Sequence, residues 1–151
     1  MIRGSDALQF DSVDVGSLQV TAPELWVAAG MVTEGAQSYQ GHVLLSQNTR
    51  MVSKPGAIDT NGAIDGAYQL DIDAQWARLL GAVGGTTALT ALDVQSGYSV
   101  SLANIINTTG NQFYRGPVSL EGNAELSSTN GSIDFLSTVN GAYGLQAHAA
   151  E

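Results

Sequence analysis

The residues best suited to chemistry are acidic. Asp59, Asp65 and Asp71 fall six residues apart and Asp73 follows closely, and calcium takes six to eight oxygen ligands of this kind. No EF-hand loop surrounds them, and the glycine-rich nonapeptide calcium repeat is absent. A solvated acidic face is therefore the favoured reading, with no metal expected. Asp71 and Asp73 would share one face of a strand close in sequence to Arg78, and paired carboxylates cleave glycosidic bonds. Such an enzyme would also need an aromatic-lined groove, which the chain does little to supply. His42 and His148 come with no serine or cysteine nucleophile signature and read as surface histidines. The expectation is no catalytic residue, no metal and no cofactor.

The elements that must position these residues are written twice. Gly35-Ala36-Gln37-Ser38-Tyr39-Gln40-Gly41 is matched by Gly110-Asn111-Gln112-Phe113-Tyr114-Arg115-Gly116, and the match runs without a gap to Leu70 and Leu145. At this offset of 75 residues, 15 of the 36 positions from Gly35 to Leu70 are identical. The identities are glycines, core-type apolar residues, Tyr39 and Tyr68, and a few small polar residues, whereas charges drift: Arg115 replaces Gln40 and Glu125 replaces Arg50. Asp134 is kept, but Asn140, Gln146 and His148 stand where the first copy has Asp65, Asp71 and Asp73. Such a repeat duplicates an architecture and not an active site. Long fixed periods mark solenoids, propellers and arrays.

Apolar triplets with a variable middle run along the chain, among them Leu18-Gln19-Val20, Leu25-Trp26-Val27, Val43-Leu44-Leu45, Leu92-Asp93-Val94 and Val118-Ser119-Leu120. In a strand the first and third residues face inward and the middle one outward. Asn61-Gly62, Asp65-Gly66, Asn130-Gly131 and Asn140-Gly141 supply turns between them. The chain reads as all-β. Asn-Gly also marks hairpins, so tandem antiparallel β-sandwich modules are the alternative. Short triplets and recurrent turns favour a right-handed parallel β-helix, a solenoid with a 75-residue repeat and about 20–25 residues per turn. Asp73 to Gly81 has helix-like composition, but the repeat context favours a strand.

The sequence divides into an entry segment or expression remnant at 1–17, a first module at 18–91 and an incomplete second module at 92–151, stacked as one solenoid. The net charge of −9, from 14 acids and 5 bases, argues against nucleic acid and anionic membrane surfaces. No run approaches the roughly 18 apolar residues of a membrane span, and no membrane insertion is expected. There is no cysteine, hence no disulfide; stacking must supply the core.

Gly81-Ala82-Val83-Gly84-Gly85-Thr86-Thr87-Ala88-Leu89, Leu92-Asp93-Val94, Thr108-Thr109-Gly110-Asn111-Gln112, Tyr114, Gly116, Val118-Ser119-Leu120 and Ser128-Thr129-Asn130-Gly131-Ser132-Ile133 together resemble the repeats of large filamentous-haemagglutinin-like adhesins of Gram-negative bacteria. The resemblance covers nearly all of Leu18 to Leu145. Trp76-Ala77-Arg78-Leu79, Lys54-Pro55 and Pro117 depart from the pattern. The resemblance implies a right-handed β-helix in a secreted cell-surface fibre and carries over no catalytic residue. Its implied partners are neighbouring repeats of the same parent chain and host-cell or biofilm glycans or proteins. Open coil ends add end-to-end self-association. The alternative function is a fragment of a carbohydrate-active β-helix enzyme or a glycan-binding module.

Candidate binding residues are Trp26 and Leu44, apolar residues expected outward, and Tyr39 and Tyr114, which hold repeat-equivalent places. For the tyrosines, stacking against the core is favoured over a ligand ladder. For Trp26 and Leu44, packing beneath a loop is favoured over an adhesive patch.

Overall fold

The triplets build a coil because each strand finds its partner one turn away. In this computed structural model, which describes residues 1–150, fifteen strands join one continuous hydrogen-bonded sheet. All of their pairings are parallel. That excludes the antiparallel sandwich: the Asn-Gly turns stand at the corners of a parallel β-solenoid of about seven turns. The helix-like stretch after Asp73 lies in the strand Gln69–Leu79, where alternation wins over helix propensity because Ala77 and Leu79 are needed in the core.

Each coil has three faces. On the first, Leu18, Gln37, Ile58, Ala77, Val100, Val118 and Val139 stack in register, so successive coils are 19, 21, 19, 23, 18 and 21 residues long. Leu25, Val43, Ile64, Val83, Ile106 and Leu126 form the second column. Met31, Met51, Ile72, Val94, Tyr114 and Phe135 form the third. These columns fill the interior, while the middles of most triplets face solvent as the alternation requires. Residues 1–17 form the first coil, pairing through Ile2, Leu8 and Val13 with Val20, Leu25 and Met31. The ladder also crosses residues 91–92 unbroken, through Leu70, Leu92 and Gln112.

The 75-residue repeat does not return to the same face. Tyr39, Thr60, Leu79 and Leu102 stack in the first-face column, and Tyr114 lies two faces further on. Val43 on the second face likewise maps to Val118 on the first, and Met51 on the third maps to Leu126 on the second. One repeat therefore spans three coils and two further faces, a screw rotated by a third of a turn. Equivalent residues still share the inward direction: Val43 and Val118 are both buried.

The repeated identities include one hydrogen-bond node, built twice. Gln37 Nε2 donates to the carbonyls of Met31 (2.9 Å) and Val52 (2.7 Å), and Tyr39 Oη donates to Gln37 Oε1 (2.7 Å). Seventy-five residues on, Gln112 Nε2 donates to Ile106 (3.2 Å) and Ser127 (2.8 Å), and Tyr114 Oη donates to Gln112 Oε1 (2.9 Å). Ser53 Oγ donates to the Gly35 carbonyl (2.7 Å) and Ser128 Oγ to that of Gly110 (2.8 Å). Asn48 Oδ1 accepts from Gln69 N and Asn123 Oδ1 from Gly144 N, both at 3.0 Å, tying one corner to the next coil. Buried polar groups are tolerated only when partnered, and here the partners are strand carbonyls and corner amides of the coil itself.

Glycines recur where coils touch through backbone. Gly41, Gly62 and Gly81 stack at the corner between the first and second faces, and a methyl on Gly62 would overlap the Gly41 carbonyl oxygen. Gly62→Ala should therefore destabilise by roughly 2–4 kcal/mol, read as a fall in urea midpoint. Tyr39→Phe and Tyr114→Phe each leave a buried glutamine oxygen without its donor. Each should cost about 1–2 kcal/mol, and the two costs should match; a large loss at one site alone would contradict the equivalence of the nodes.

Candidate functional site

The screw distributes the acids that sequence spacing had brought together. Asp59 projects from the first face opposite Arg78, Asp65 sits on the second beside Leu44, and Asp71 and Asp73 lie on the third opposite Arg50 and Val52. A spacing of six residues in a coil of about 20 spreads these acids over three faces. No cluster of three or more His, Cys, Asp or Glu side chains that could hold a metal occurs among the described residues.

On the third face Asp71 and Asp73 do share a surface, as the strand alternation demands, and Asp93 joins them from the next coil. They border a shallow depression of about 220 Å³ with Arg50, Gln69 and Gln95. Each carboxylate is engaged. Asp73 holds Lys54 Nζ at 2.7 Å and Arg50 at 3.4 Å, Asp71 accepts from Gln69 Nε2 at 2.7 Å, and Asp93 accepts from Arg115 Nε at 2.8 and 3.0 Å. The Asp93 pair raises the Arg115 pKa. Arg78, close to this pair in sequence, is on another face, donating to Glu121 at 2.9 Å with Asp59 at 3.8 Å. Arg78 and then Ser101 hold the Glu121 carboxyl below its usual range.

Asp65 departs from the solvated face expected of this series. It is buried, and its Oδ1 accepts from the backbone N–H groups of Thr86 (2.8 Å) and Thr87 (2.9 Å), while Oδ2 meets His42 Nε2 at 2.7 Å. Burial alone would raise its pKa. The Thr87 and Thr86 amides and His42 outweigh burial and hold it below the usual aspartate value. His42, read as a surface histidine, is instead half-buried against this anchor, and the pair fastens the long corner at 81–90 to the second face.

Two candidate binding residues prove internal. Tyr39 and Tyr114 are fully buried in the nodes, so neither reaches a ligand at the surface; desolvation pushes both phenols far above their ordinary pKa. Tyr114 stacks on Phe135 at 5.0 Å. Trp26 and Leu44 face outward as neighbours in the second-face ladder, and Trp26 is 41% exposed rather than packed beneath a loop.

The aromatic feature that sequence reasoning missed is Trp76 with Tyr98. Their rings stack at 5.0 Å and 24°, yet they remain 45% and 61% exposed. Trp76 opens the outward row of the first face between Ala57 and Ser99, and Tyr98 lies in the irregularity between Ser96 and Ser99. The alternation Trp76-Ala77-Arg78-Leu79 carried the signal for Trp76; nothing in the sequence paired it with Tyr98.

Asp65→Ala should cost about 2 kcal/mol or more, because two corner amides lose their acceptor. The folded pKa of Asp65 lies below its unfolded value, so its stabilisation is complete above about pH 4 and is lost as pH falls through the folded pKa. Asp65→Asn should flatten that acid-side slope in urea melts taken from neutral pH downward.

Comparison of the chain with protein-family models, with curated proteins and with solved structures finds no match.

Proposed function

We propose that this chain is a structural and adhesive segment of a large secreted cell-surface fibre, a stiff rod whose outer faces make contacts. The observation that carries the reading is the division of labour within the repeat. The nodes and corner ties recur at the 75-residue offset, while outward residues such as Gln40 and Arg115, or Leu44 and Ser119, differ. A duplication that keeps what stacks and releases what faces solvent extends a scaffold. The resemblance to filamentous-haemagglutinin-like repeats supplies the secreted and adhesive part of the reading. The enzyme alternative is weaker because Asp71, Asp73 and Asp93 are each occupied by a cation or an amide. Sequencing outward from this segment tests the proposal: further 75-residue units and an export segment are expected, whereas a lone pair beside a catalytic domain would sink it.

Both coil ends fit this role. At one end Ile2, Phe10 and Val13 are only partly buried, beside a cavity of about 470 Å³ that also touches Val15 and Leu18. At the other, Ile133 and Phe135 are partly covered and Leu136 and Val139 are exposed. The outer edges of a parallel coil offer unpaired ladder groups of opposite sense, so copies stack head to tail. Sedimentation should show concentration-dependent association. Val13→Lys and Val139→Lys should each remain monomeric alone, and their mixture should stop at dimers because each retains one usable end. Association of either variant by itself would contradict head-to-tail stacking.

A further inference from the structure

The geometry points to a neutral-saccharide subsite on the Trp76–Tyr98 ledge, an inference that deepens the adhesive reading and rests on it. Four observations carry it. The two rings are already stacked at 5.0 Å, so the ledge is ordered before any ligand arrives and little side-chain entropy is lost on binding. They stay about half exposed, although neighbours in the same row, Ala57 and Ser99, show that a small side chain is accommodated there. Stacking covers one face of each ring, and the aromatic face left open is too small for a lipid surface or a protein core contact but comparable to one face of a pyranose, whose C–H groups are attracted to the negative face of an aromatic ring.

Polar groups lie on the same face. Arg78 follows Trp76 by two residues in the strand and so projects on the same side, and it brings Glu121 at 2.9 Å and Asp59 at 3.8 Å. An open aromatic face beside planar guanidinium and carboxylate groups is the combination that recognises a sugar, which is apolar on its ring faces and hydroxylated at its rim. Charge selects the kind of sugar. Arg78 is committed to two carboxylates, Lys54 to Asp73, and the chain carries −9 overall. Sulfated and uronic glycans would meet repulsion there, so the occupant is a neutral hexose chain.

Trp76→Ser and Tyr98→Ala are outward substitutions, and circular dichroism checks that the coil survives them. The probes are maltohexaose, cellohexaose and a mannan-derived hexasaccharide, with heparin hexasaccharide as the anionic comparison, titrated in a Trp26→Phe background so that fluorescence reports Trp76 alone. At least one neutral probe should shift the Trp76 emission. Trp76→Ser and Tyr98→Ala, followed by calorimetry, should each weaken binding by roughly tenfold or more, as for an aromatic anchor, while Trp26→Phe leaves it unchanged. Perturbation of the Trp76 indole N–H resonance in the unmutated chain provides a reading independent of any variant. No response to any neutral probe, binding that survives both substitutions, or preference for heparin would overturn the inference. None of these outcomes touches the rod, whose test lies in head-to-tail assembly and the flanking repeats.

Discussion

Every coil must repeat its neighbour at the spacing of a parallel ladder, about 4.8 Å, and the rest of the structure follows from that distance. Inward side chains cannot be chosen singly, since each lies on the one below and under the one above. The column Met51, Ile72, Val94, Tyr114 and Phe135 changes from aliphatic to aromatic only where the aromatics come in adjacent coils and can stack. At the corners the same spacing brings backbone against backbone. There Gly41, Gly62 and Gly81 leave no room for a Cβ, and where an Asx side chain stands instead, it spends its oxygen on an amide of the next coil. Asp65 is the extreme case: it accepts from two successive amides because the corner above it is the longest in the body.

The nodes solve a different problem created by the same constraint. A triangular coil must turn sharply between faces, and the last carbonyls of one strand then point into the interior. Gln37 and Gln112 enter the next face with their amide turned back to those carbonyls, bonding one in their own coil and one in the next, and a tyrosine two residues later completes the amide. Each node thus joins two faces and two coils. Because the unit measures three coils and two faces, the second node is turned a third of a revolution from the first, and no face carries both. A surface feature repeated with the unit would spiral around the rod.

Sequence carried the class, the inward–outward alternation and the period, because these are properties of adjacent residues: Leu70-Asp71-Ile72 can be read as in–out–in without knowing its neighbours in space. The rotation was hidden. It depends on coil lengths, which vary between 18 and 23 residues because corners absorb insertions, and no local pattern measures a corner. Core stacking is the favoured reading of Tyr39 and Tyr114 and both are buried, but a phenol is at home on either side, so their repeat-equivalent places alone leave a surface ladder open. The clue was the glutamine two positions earlier in both copies, since a buried tyrosine needs an acceptor. Asp65 gave no such clue, for its equivalent Asn140 is exposed and its amide donors lie 21 and 22 residues further on. Trp76 was masked by helix-like composition, and its contact with Tyr98 depends on an irregular corner between coils.

The exterior is less free than the drift of its residues suggests. Outward neighbours in a column are one ladder spacing apart, and like charges directly opposite each other repel. Arg50, Asp71 and Asp93 occupy one such column, with two carboxylates adjacent. The arrangement holds because cations enter from both sides: Arg50 and Lys54 on Asp73 from below, and Arg115 on Asp93 from above. Arg78 does the same on the first face, reaching Asp59 in the coil below and Glu121 above. Four of the five basic residues are thereby used as ties between coils, Arg3 being the other. Individually such exposed pairs contribute little. Together they consume the positive charge of the body and leave the remaining carboxylates to face solvent. A rod built this way repels anionic surfaces, and uncharged side chains such as Trp76 and Tyr98 break its polar rows.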